Sequence, residues 1–333
     1  MGLLTPPRAM ILAAGLGTRL GDLTQQRPKP MLPVCGAPLV RWAALWLRHH
    51  GVRDIAINLH HLGEQIEAEL GDGASLGLRI AYSHEEGMIL GTGGGLRHAR
   101  ALIDDGDDTP IVVVNGKILL DLDLRELMRV HTERGAEATM VLRPDPEAAK
   151  WGSLQTDAEG RVVRLLGASP ARASSPPASD PLMFTGVHVL QPRFLDRIPP
   201  EGEQCVIRTA YRSLFDEGRD LHGFITRAYW WEHSTPARYI QGVANVLDGV
   251  IDLPYAEGPV RGVDPTAVVD PTARIEGPVW VGPGATIGRD ARIGPHVQLG
   301  ARATVRPGSQ LQSCIVWDDA VVEGDVRDVV VTA

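Results

Sequence analysis

Short apolar segments alternate with amphipathic segments along the first three quarters of the chain. The apolar segments predict strands at 9–14, 55–59, 78–83, 111–115 and 138–143. Apolar residues with helical spacing predict helices at 39–50, 62–70 and 124–134, the last one capped by Asp123. This alternation predicts an α/β fold with a Rossmann-like, mostly parallel sheet and flanking helices.

Two further segments interrupt this alternation. Residues 150–166 predict a hairpin that turns at 157–160, and residues 168–181, rich in Ala, Ser and Pro, predict a loop. In an open α/β sheet, ligands bind beyond the carboxyl ends of the strands. We therefore expect 15–19, 115–117 and 91–95 to surround one cleft.

From residue 263 onward the pattern changes, because an aliphatic side chain recurs at every sixth position. These positions are Val263, Val269, Ile275, Val281, Ile287, Ile293, Leu299, Val305 and Leu311. The period predicts the triangular coils of a short left-handed parallel β-helix, with a nucleotide-binding domain at 1–252 and the repeat domain at 253–333. Such repeats also occur in acyltransferases, but no catalytic histidine is evident and we expect His296 on the surface. A structural or oligomerisation role is therefore favoured.

Composition limits the function further. The 333 residues are 44% hydrophobic and carry a net charge of −8, which argues against nonspecific binding of nucleic acid. No apolar run approaches the ~20 residues of a membrane helix, and the amino terminus lacks a signal-peptide layout. The three cysteines are scattered and predict neither a zinc site nor a disulfide framework. We expect a cytoplasmic protein.

The most informative segment is 10–34, MILAAGLGTRLGDLTQQRPKPMLPV. Glycines directly after a buried strand let a phosphate approach backbone N–H groups, and Arg19 and Lys29 supply positive charge. A dinucleotide fingerprint would need glycine where Leu20 stands, and a Walker A loop would need Gly-Lys-Ser/Thr. The remaining alternative is an ordinary strand and turn in which the glycines occur by chance. The presence of Arg19 and Lys29 argues against it.

This segment resembles the opening motif of the sugar-1-phosphate nucleotidyltransferases, a GxGTRL turn followed by PKPxLP. The arrangement with a terminal hexapeptide repeat is similar to the mannose-1-phosphate guanylyltransferase group. The resemblance implies transfer of a nucleotidyl group from a nucleoside triphosphate to a sugar 1-phosphate, with Mg²⁺ as cofactor. It implies catalytic roles for Arg19 and Lys29, and nucleotide contacts from Leu12, Ala13, Ala14, Gly15, Gly17 and Thr18.

The resemblance extends to later positions. Gly91, Thr92 and Gly93 would lie against the nucleobase, with Glu85 or Glu86 assisting; a flexible turn is the alternative. Sugar contacts would come from Asn115, Gly116, Gly152, Thr185 and Gly186. A Glu-Lys pair that holds the sugar phosphate in the family is missing, since 166–169 is Leu-Gly-Ala-Ser.

The largest departure is Lys117, which stands where the family has a metal-binding Asp. Glu232 occupies the position of the second metal-binding Asp. Exchanging a carboxylate for an ammonium replaces attraction to a metal by repulsion. Lys117 would then be catalytic, its charge replacing the metal on phosphate oxygens, or its pair with Glu232 would be structural in a silent relative that binds sugar nucleotides. An engineered substitution at position 117 is a third explanation.

Overall fold

The structure, a computed structural model, describes residues 6–170, 175–218 and 220–333. Residues 171–174 of the predicted 168–181 loop lie outside this range. The strands before residue 250 are β1 (Arg8–Leu12), β2 (Pro33–Val34), β3 (Ala37–Pro38), β4 (Asp54–Leu59), β5 (Arg79–His84), β6 (Ile111–Asn115), β7 (Ile118–Leu120), β8 (Ala138–Pro144), β9 (Gln155–Thr156), β10 (Val162–Arg164), β11 (Leu182–Leu190), β12 (Leu221–Ile225) and β13 (Trp230–Glu232).

The predicted helices are present, together with shorter ones. They are α1 (Leu23–Gln26), α2 (Leu39–His49), α3 (Gly63–Leu70), α4 (Gly91–His98), α5 (Arg100–Ile103), α6 (Leu124–Glu133), α7 (Ala148–Trp151), α8 (Arg212–Asp216) and α9 (Pro236–Asp248). Asp123 caps α6 as predicted, since its Oδ1 accepts hydrogen bonds from the N–H groups of Arg125 and Glu126. Within the described part of the chain, no helix combines the length and apolar character needed to cross a membrane.

A seven-stranded sheet forms the centre of the α/β part, in the order β12-β8-β11-β6-β1-β4-β5. β11 runs antiparallel to its neighbours β6 and β8, whereas the other pairs are parallel. The mostly parallel sheet is thus confirmed. Met10, Val113 and Met140 are fully buried in its core, as expected where helices cover both faces.

Two local predictions need correction. The predicted hairpin does turn at Asp157–Gly160 between β9 and β10, but its first residues instead form α7. The glycine run at 91–95 was expected as a loop before a helix, yet α4 begins at Gly91 itself. Glycine is a poor helix former, so contacts with the surrounding chain select this conformation.

The carboxyl-terminal strands form three parallel stacks, of five, four and four strands. They are β14 (Gly262–Val263), β15 (Val268–Val269), β16 (Arg274–Ile275), β17 (Val279–Val281), β18 (Thr286–Ile287), β19 (Arg292–Ile293), β20 (Val297–Leu299), β21 (Thr304–Val305), β22 (Gln310–Gln312), β23 (Cys314–Val316), β24 (Val321–Val322), β25 (Asp325–Arg327) and β26 (Val330–Val331). This is the stacking predicted for a left-handed parallel β-helix.

The register of these stacks explains where the sixfold pattern ends. Val263 lies opposite Val281, and Val281 lies opposite Leu299. Each of these steps is one full turn of the coil, made of three six-residue sides. Leu299 then lies opposite Val316, one residue short of a full turn. The coil therefore continues beyond Leu311, but shortened sides hide it from a search at a fixed period. His296, expected on the surface, is partly exposed, and its Nε2 lies 2.8 Å from Asp248 Oδ1.

The chain forms two compact units that do not follow its linear order. The first consists of the chain up to Gly15, Ala43–Gly116 and Leu122–Trp230, and contains the seven-stranded sheet. The second consists of Leu16–Trp42, Lys117–Asp121 and Trp231–Ala333. The loop that carries Arg19 and Lys29 therefore belongs to the same unit as the β-helix. The boundary between residues 252 and 253 stays a prediction.

Candidate functional site

In the first unit, a chain of buried hydrogen bonds holds the turn that follows β1. The Ala13 N–H donates to Asn58 Oδ1 at 2.8 Å, and Asn58 Nδ2 donates to Glu85 Oε1 at 2.7 Å. The other carboxylate oxygen of Glu85 accepts the Leu90 N–H at 2.7 Å. Asn58 and Glu85 are 3% and 4% exposed. Glu85, predicted to contact the nucleobase, uses both its oxygens inside the protein.

The turn itself leaves backbone accessible. Leu12 ends β1, and Ala13 and Ala14 are buried. Gly15 is exposed, and a Cβ built on it would meet no atom within 4 Å. This position therefore has room for a ligand beside its backbone, and the predicted nucleotide contact stays a prediction.

The glycines that open α4 pack against another segment of the same unit. The Gly93 N–H donates to Gln204 O at 2.7 Å, and a Cβ on Gly91 would lie 2.7 Å from that oxygen. Thr92 Oγ1 accepts the Val206 N–H at 3.0 Å. The close approach that favours glycine here is made by protein backbone. The predicted nucleobase contacts of Gly91, Thr92 and Gly93 stay a prediction.

The predicted sugar-binding residues of β6 and β11 lie together. Gly186 has φ +82°, and a Cβ there would lie 2.0 Å from Asn115 Nδ2, so only glycine fits beside this amide. The Gly116 N–H donates to Leu12 O at 2.9 Å. Thr185 is buried, and its hydroxyl donates to Val141 O at 2.9 Å. Asn115, Thr185 and Gly186 are thus one group at the carboxyl end of β6.

Gly152 lies elsewhere in the first unit, between α7 and the hairpin. It has φ +85°, and a Cβ on it would lie 2.6 Å from Leu166 Cδ2. Its positive φ and this contact both explain why glycine is required. The structure does not join Gly152 to Asn115 or Gly186 by any described hydrogen bond.

In the second unit, Gly17 begins a short 3-10 turn that contains Thr18 and Arg19. Gly17 has φ +69°, and a Cβ there would lie 2.9 Å from Thr24 Cγ2 and 3.1 Å from Lys29 Cβ. Thr18 is exposed, and the Arg19 side chain is 51% exposed. Glycine therefore lets the turn lie directly on the lysine segment.

Lys29 is buried, which is unusual for a lysine. It begins a second 3-10 turn, Lys29–Met31, in which the Met31 N–H donates to Pro28 O at 2.7 Å. Pro28 and Pro30 restrict the backbone on both sides of it. The proline-rich sequence thus holds this side chain in one direction.

Three cations converge on one carboxylate oxygen, Glu232 Oε1. The Nζ atom of Lys117 lies at 2.8 Å, Nζ of Lys29 at 3.3 Å and Nη2 of Arg19 at 3.6 Å. Lys117 lies two residues after the end of β6, and Glu232 ends β13, which pairs with β7. In these contacts the positive charges outnumber the single negative charge of Glu232, and we call the four residues the Glu232 cluster.

The ionisation of the Glu232 cluster reflects burial and this crowding of charge. Burial would raise the pKa of Glu232, but Lys117 and Lys29 outweigh it and lower the pKa to about 2. Burial lowers the pKa of Lys29 to about 8, and Lys117 acts in the same direction, while Glu232 opposes both. At neutral pH the carboxylate is ionised and most of Lys29 is protonated.

The residues of the Glu232 cluster do not fit the Mg²⁺ that the resemblance implies. A divalent magnesium ion binds carboxylate and other oxygen ligands, whereas the position expected to hold a second carboxylate is Lys117. The one carboxylate is already contacted by three cations. No group of three or more His, Cys, Asp or Glu residues suited to a metal occurs among the described residues.

Segment 27–35, which carries Lys29, is fixed to the β-helix by residues that the sequence did not reveal. Gln298 of β20, 1% exposed, accepts the Cys35 N–H at 2.7 Å and donates to Pro33 O at 3.0 Å. The Tyr239 hydroxyl donates to the same Pro33 oxygen at 2.6 Å. Arg27 lies over the Trp317 ring, with Cζ 4.8 Å from its centroid.

Two buried polar residues, Asn58 and Gln298, are therefore part of the site's support although sequence reasoning missed them. Each interrupts an apolar strand, Asn58 in DIAINL and Gln298 in VQL. A buried polar side chain must find partners, so its presence in an apolar strand is a signal that could have been used.

Comparison with known proteins identifies the family of this chain. The profile of the family described as Nucleotidyl transferase matches residues 8–248. A mannose-1-phosphate guanylyltransferase of Mycobacterium tuberculosis is 32% identical over 95% of this chain and 81% of its own length. A UTP–glucose-1-phosphate uridylyltransferase of Synechocystis is 32% identical over 83% of this chain and 74% of its own length.

A solved structure supports the fold. A crystal structure from Bacillus anthracis, in complex with a sucrose, has a TM-score of 0.60 and 21% sequence identity. The match covers 74% of this chain and 96% of that chain. The resemblance inferred from the opening motif is confirmed: the chain belongs to the nucleotidyl transferase family.

Proposed function

We propose that this protein transfers a guanylyl group from GTP to mannose 1-phosphate, giving GDP-mannose and pyrophosphate. The observation that carries nucleotidyl transfer is the Glu232 cluster, because its excess positive charge suits a polyanion such as a triphosphate. The choice of mannose and guanine rests on the guanylyltransferase relative, which aligns with 95% of the chain.

In this reaction an oxygen of the sugar phosphate attacks the α-phosphorus in line. The new P–O bond forms as the bond from the α-phosphorus to the bridging oxygen breaks, and pyrophosphate leaves with the electron pair. Catalysis of this kind depends on positioning and on neutralising charge. Arg19 would stabilise the β- and γ-phosphates, and Lys29 the α-phosphate or the incoming sugar phosphate.

Lys117 would contact phosphate oxygens directly and replace the positive charge of a metal. Its ammonium can move between Glu232 and a phosphate, because lysine has a flexible stem and three donors. Glu232 would hold the three cations close together until phosphate oxygens compete for them. If this protein were instead a silent relative of the enzymes, Lys117 and Glu232 would remain paired when nucleotide binds.

Uridylyl transfer is the second candidate. The uridylyltransferase relative has the same identity as the guanylyltransferase, 32%, and aligns with 83% of this chain. UTP with glucose 1-phosphate is therefore the competing substrate pair.

A pyrophosphate-release assay tests these proposals with the four ribonucleoside triphosphates, each combined with mannose 1-phosphate, glucose 1-phosphate and N-acetylglucosamine 1-phosphate. We expect GTP with mannose 1-phosphate to give at least about 10-fold higher kcat/KM than any other pair, corresponding to ~1.4 kcal/mol of discrimination. A preference for UTP with glucose 1-phosphate would replace the first candidate by the second. Binding of these ligands in a thermal-shift assay without any turnover would instead indicate that this protein is a silent relative that binds sugar nucleotides.

Two further parts of the proposal concern the setting of the protein. We expect it in the cytoplasm, where nucleoside triphosphates are available. We also expect it to form homo-oligomers through the β-helix, since β24, β25 and β26 end the three stacks and their strand edges need covering. Light scattering after size-exclusion chromatography would measure this assembly, and a monomer at micromolar concentration would contradict it.

A further inference from the structure

Arg143 lies near the carboxyl end of β8 in the first unit, and among the described residues its guanidinium contacts only neutral groups. Its Nη1 donates to Trp230 O at 3.1 Å, and its Cζ lies 5.4 Å from the centroid of the Trp230 ring. Its Nε is buried and has no hydrogen-bond partner. Within the described residues, Arg143 thus uses one of its five N–H donors and forms no ion pair.

This arrangement differs from that of Arg197, another partly buried arginine of the first unit, which forms ion pairs with Glu137 and Glu217. A buried N–H group without a partner is costly, and such groups are few in folded proteins. An arginine whose charge and donors are left unused points to an anionic ligand that supplies the missing partner.

Trp230 links Arg143 to groups predicted to contact the sugar. The Trp230 indole Nε1 donates to Thr185 O at 2.8 Å. The Thr185 hydroxyl donates to Val141 O, two positions before Arg143 on the same strand. Gly186, the next residue, lies against the Asn115 amide.

All of these residues lie at one edge of the sheet. β8 and β6 both run antiparallel to β11, so their carboxyl ends meet at the same edge. Arg143 is the last residue but one of β8, and Asn115 is the last residue of β6. This is the edge at which an open α/β sheet binds ligands.

We propose that Arg143 binds the phosphate of the sugar 1-phosphate substrate. The inference rests on the proposed function and goes beyond it by naming a cation that takes the place of the missing Glu-Lys pair on the phosphate of the second substrate. A guanidinium can hold two phosphate oxygens with parallel hydrogen bonds and neutralises part of their charge. The Asn115 amide and the backbone of Thr185 and Gly186 are neutral groups suited to sugar hydroxyls.

The kinetic test compares Arg143→Gln with wild-type protein, using mannose 1-phosphate and GTP. We expect KM for the sugar phosphate to rise at least 10-fold while KM for GTP changes less than twofold, and Arg143→Lys to recover part of the loss. Arg134→Gln is the matched control, because Arg134 Nη1 also donates to a backbone carbonyl at 3.1 Å, that of Gly223, at the other end of β8. Unchanged KM for mannose 1-phosphate in Arg143→Gln would overturn the inference while leaving the proposed function intact.

Calorimetric titration with mannose 1-phosphate and with mannose provides a readout that does not need turnover. Wild-type protein and Arg134→Gln should bind mannose 1-phosphate at least 10-fold more tightly than Arg143→Gln does, and the affinity for mannose should not differ. If wild-type protein binds mannose 1-phosphate more tightly than Arg143→Gln does but has no turnover, the proposed function fails and the Arg143 site stands. Equal binding by the three proteins, or no binding by wild-type protein, would overturn the Arg143 site.

Discussion

The Lys117 ammonium nitrogen lies 2.8 Å from Glu232 Oε1, and Lys29 and Arg19 approach the same oxygen. One carboxylate cannot neutralise three cations, so a phosphate that enters can compete for them without leaving Glu232 unpaired. The resemblance implies two carboxylates around a divalent metal at these positions. Here the chain supplies one carboxylate and an additional fixed positive charge. The predictions about Lys117, Lys29 and Arg19 follow from this arrangement.

Replacing Lys117 by methionine should remove the charge that we propose acts on the phosphates. We expect kcat to fall by ~10²–10³-fold, as for loss of one group that stabilises transition-state charge. Because the Lys117 side chain is 36% exposed, the melting temperature should change little. Pyrophosphate release would be measured in EDTA and in MgCl₂, and wild-type protein should have similar rates in both.

Lys117→Asp gives the decisive comparison for that prediction, since it restores the second carboxylate. Turnover by Lys117→Asp alone, and only with MgCl₂, would show that Lys117 does not replace a metal. Lys150→Met serves as a control, because the Lys150 side chain is 70% exposed and pairs only with nearby Glu147 in the described structure. It should leave kcat unchanged in either solution.

The activity should depend on pH through Lys29, whose pKa burial lowers to about 8. The fraction of protonated Lys29 falls about 10-fold between pH 7 and pH 9, so kcat/KM for GTP should fall by a similar factor. Lys117 and Arg19 favour loss of the proton, and Glu232 opposes it. Lys29→Arg keeps its charge across this range and should give a flatter profile. The same decline in both proteins would contradict the assignment to Lys29.

Stability should change with pH in the opposite direction. The pKa of Lys29 is lower in the folded than in the unfolded protein, so the unfolded chain binds more protons between pH 8 and its ordinary value of 10.5. The contribution of Lys29 to the free energy of unfolding therefore rises with pH in this window. Urea unfolding of wild-type protein minus that of Lys29→Arg isolates this contribution. If the free energy of unfolding of wild-type protein minus that of Lys29→Arg fell with rising pH, the prediction would be wrong.

Arg19→Ala should reduce turnover without unfolding the protein. The Arg19 side chain is 51% exposed, so its removal should leave the urea midpoint nearly unchanged. Loss of its contact with the β- and γ-phosphates should lower kcat/KM by ~10²–10³-fold. Arg289→Ala, at a 72% exposed side chain of the β-helix, is the control. Near-normal kcat/KM in Arg19→Ala would exclude the proposed role.

Asn58→Ala should destabilise the first unit, because it breaks the hydrogen bonds that join Ala13 to Glu85. It leaves a buried N–H and a buried carboxylate oxygen without their partner, at roughly 1–3 kcal/mol each. We expect the free energy of unfolding to fall by about 2–5 kcal/mol in urea titrations. Glu86→Gln, at the exposed neighbour of Glu85, should leave it unchanged. A loss below ~1 kcal/mol in Asn58→Ala would show that water replaces these bonds.

Elements set by local pattern could be predicted from the sequence. The strand at 111–115 has its predicted bounds, because a run of aliphatic residues between polar ones has few alternatives. The cap at Asp123 and the coil from Val263 to Leu311 likewise depend on residues close in sequence. Arg19 and Lys29 were predicted from a motif of 25 residues, and the structure brings both to Glu232.

Features that depend on distant contacts could not be predicted in this way. Glycine is favoured at 91 and 95 because Gln204, Asn58 and Glu85 lie where a side chain would be. The run nevertheless forms a helix. Gln298 contacts Cys35 across 263 residues of sequence, and no local pattern indicates that pair. The three cations were expected near phosphate, but only the structure shows that they share one oxygen of Glu232.

Gln298 should couple the β-helix to catalysis. Gln298→Leu removes its hydrogen bonds to Cys35 and Pro33, which leaves the buried Cys35 N–H without that acceptor. We expect the free energy of unfolding to fall by about 1–3 kcal/mol. Pro33 lies four residues after Lys29, so loosening this segment should also lower kcat/KM by ~10-fold or more through misplacement of that ammonium. Urea titration and steady-state kinetics measure both effects.

The matched variant Gln310→Leu lies on β22, in another stack of the β-helix, where its side chain is exposed, and should change neither quantity. A loss of stability with normal kcat/KM in Gln298→Leu would restrict the β-helix to a structural role. A fall in both would instead explain why the repeat is hydrogen-bonded to segment 27–35, which carries Lys29. The coil then acts as a rigid support on which Pro33 and Cys35 are fixed, and Lys29 is positioned by hydrogen bonds made at the opposite end of the sequence.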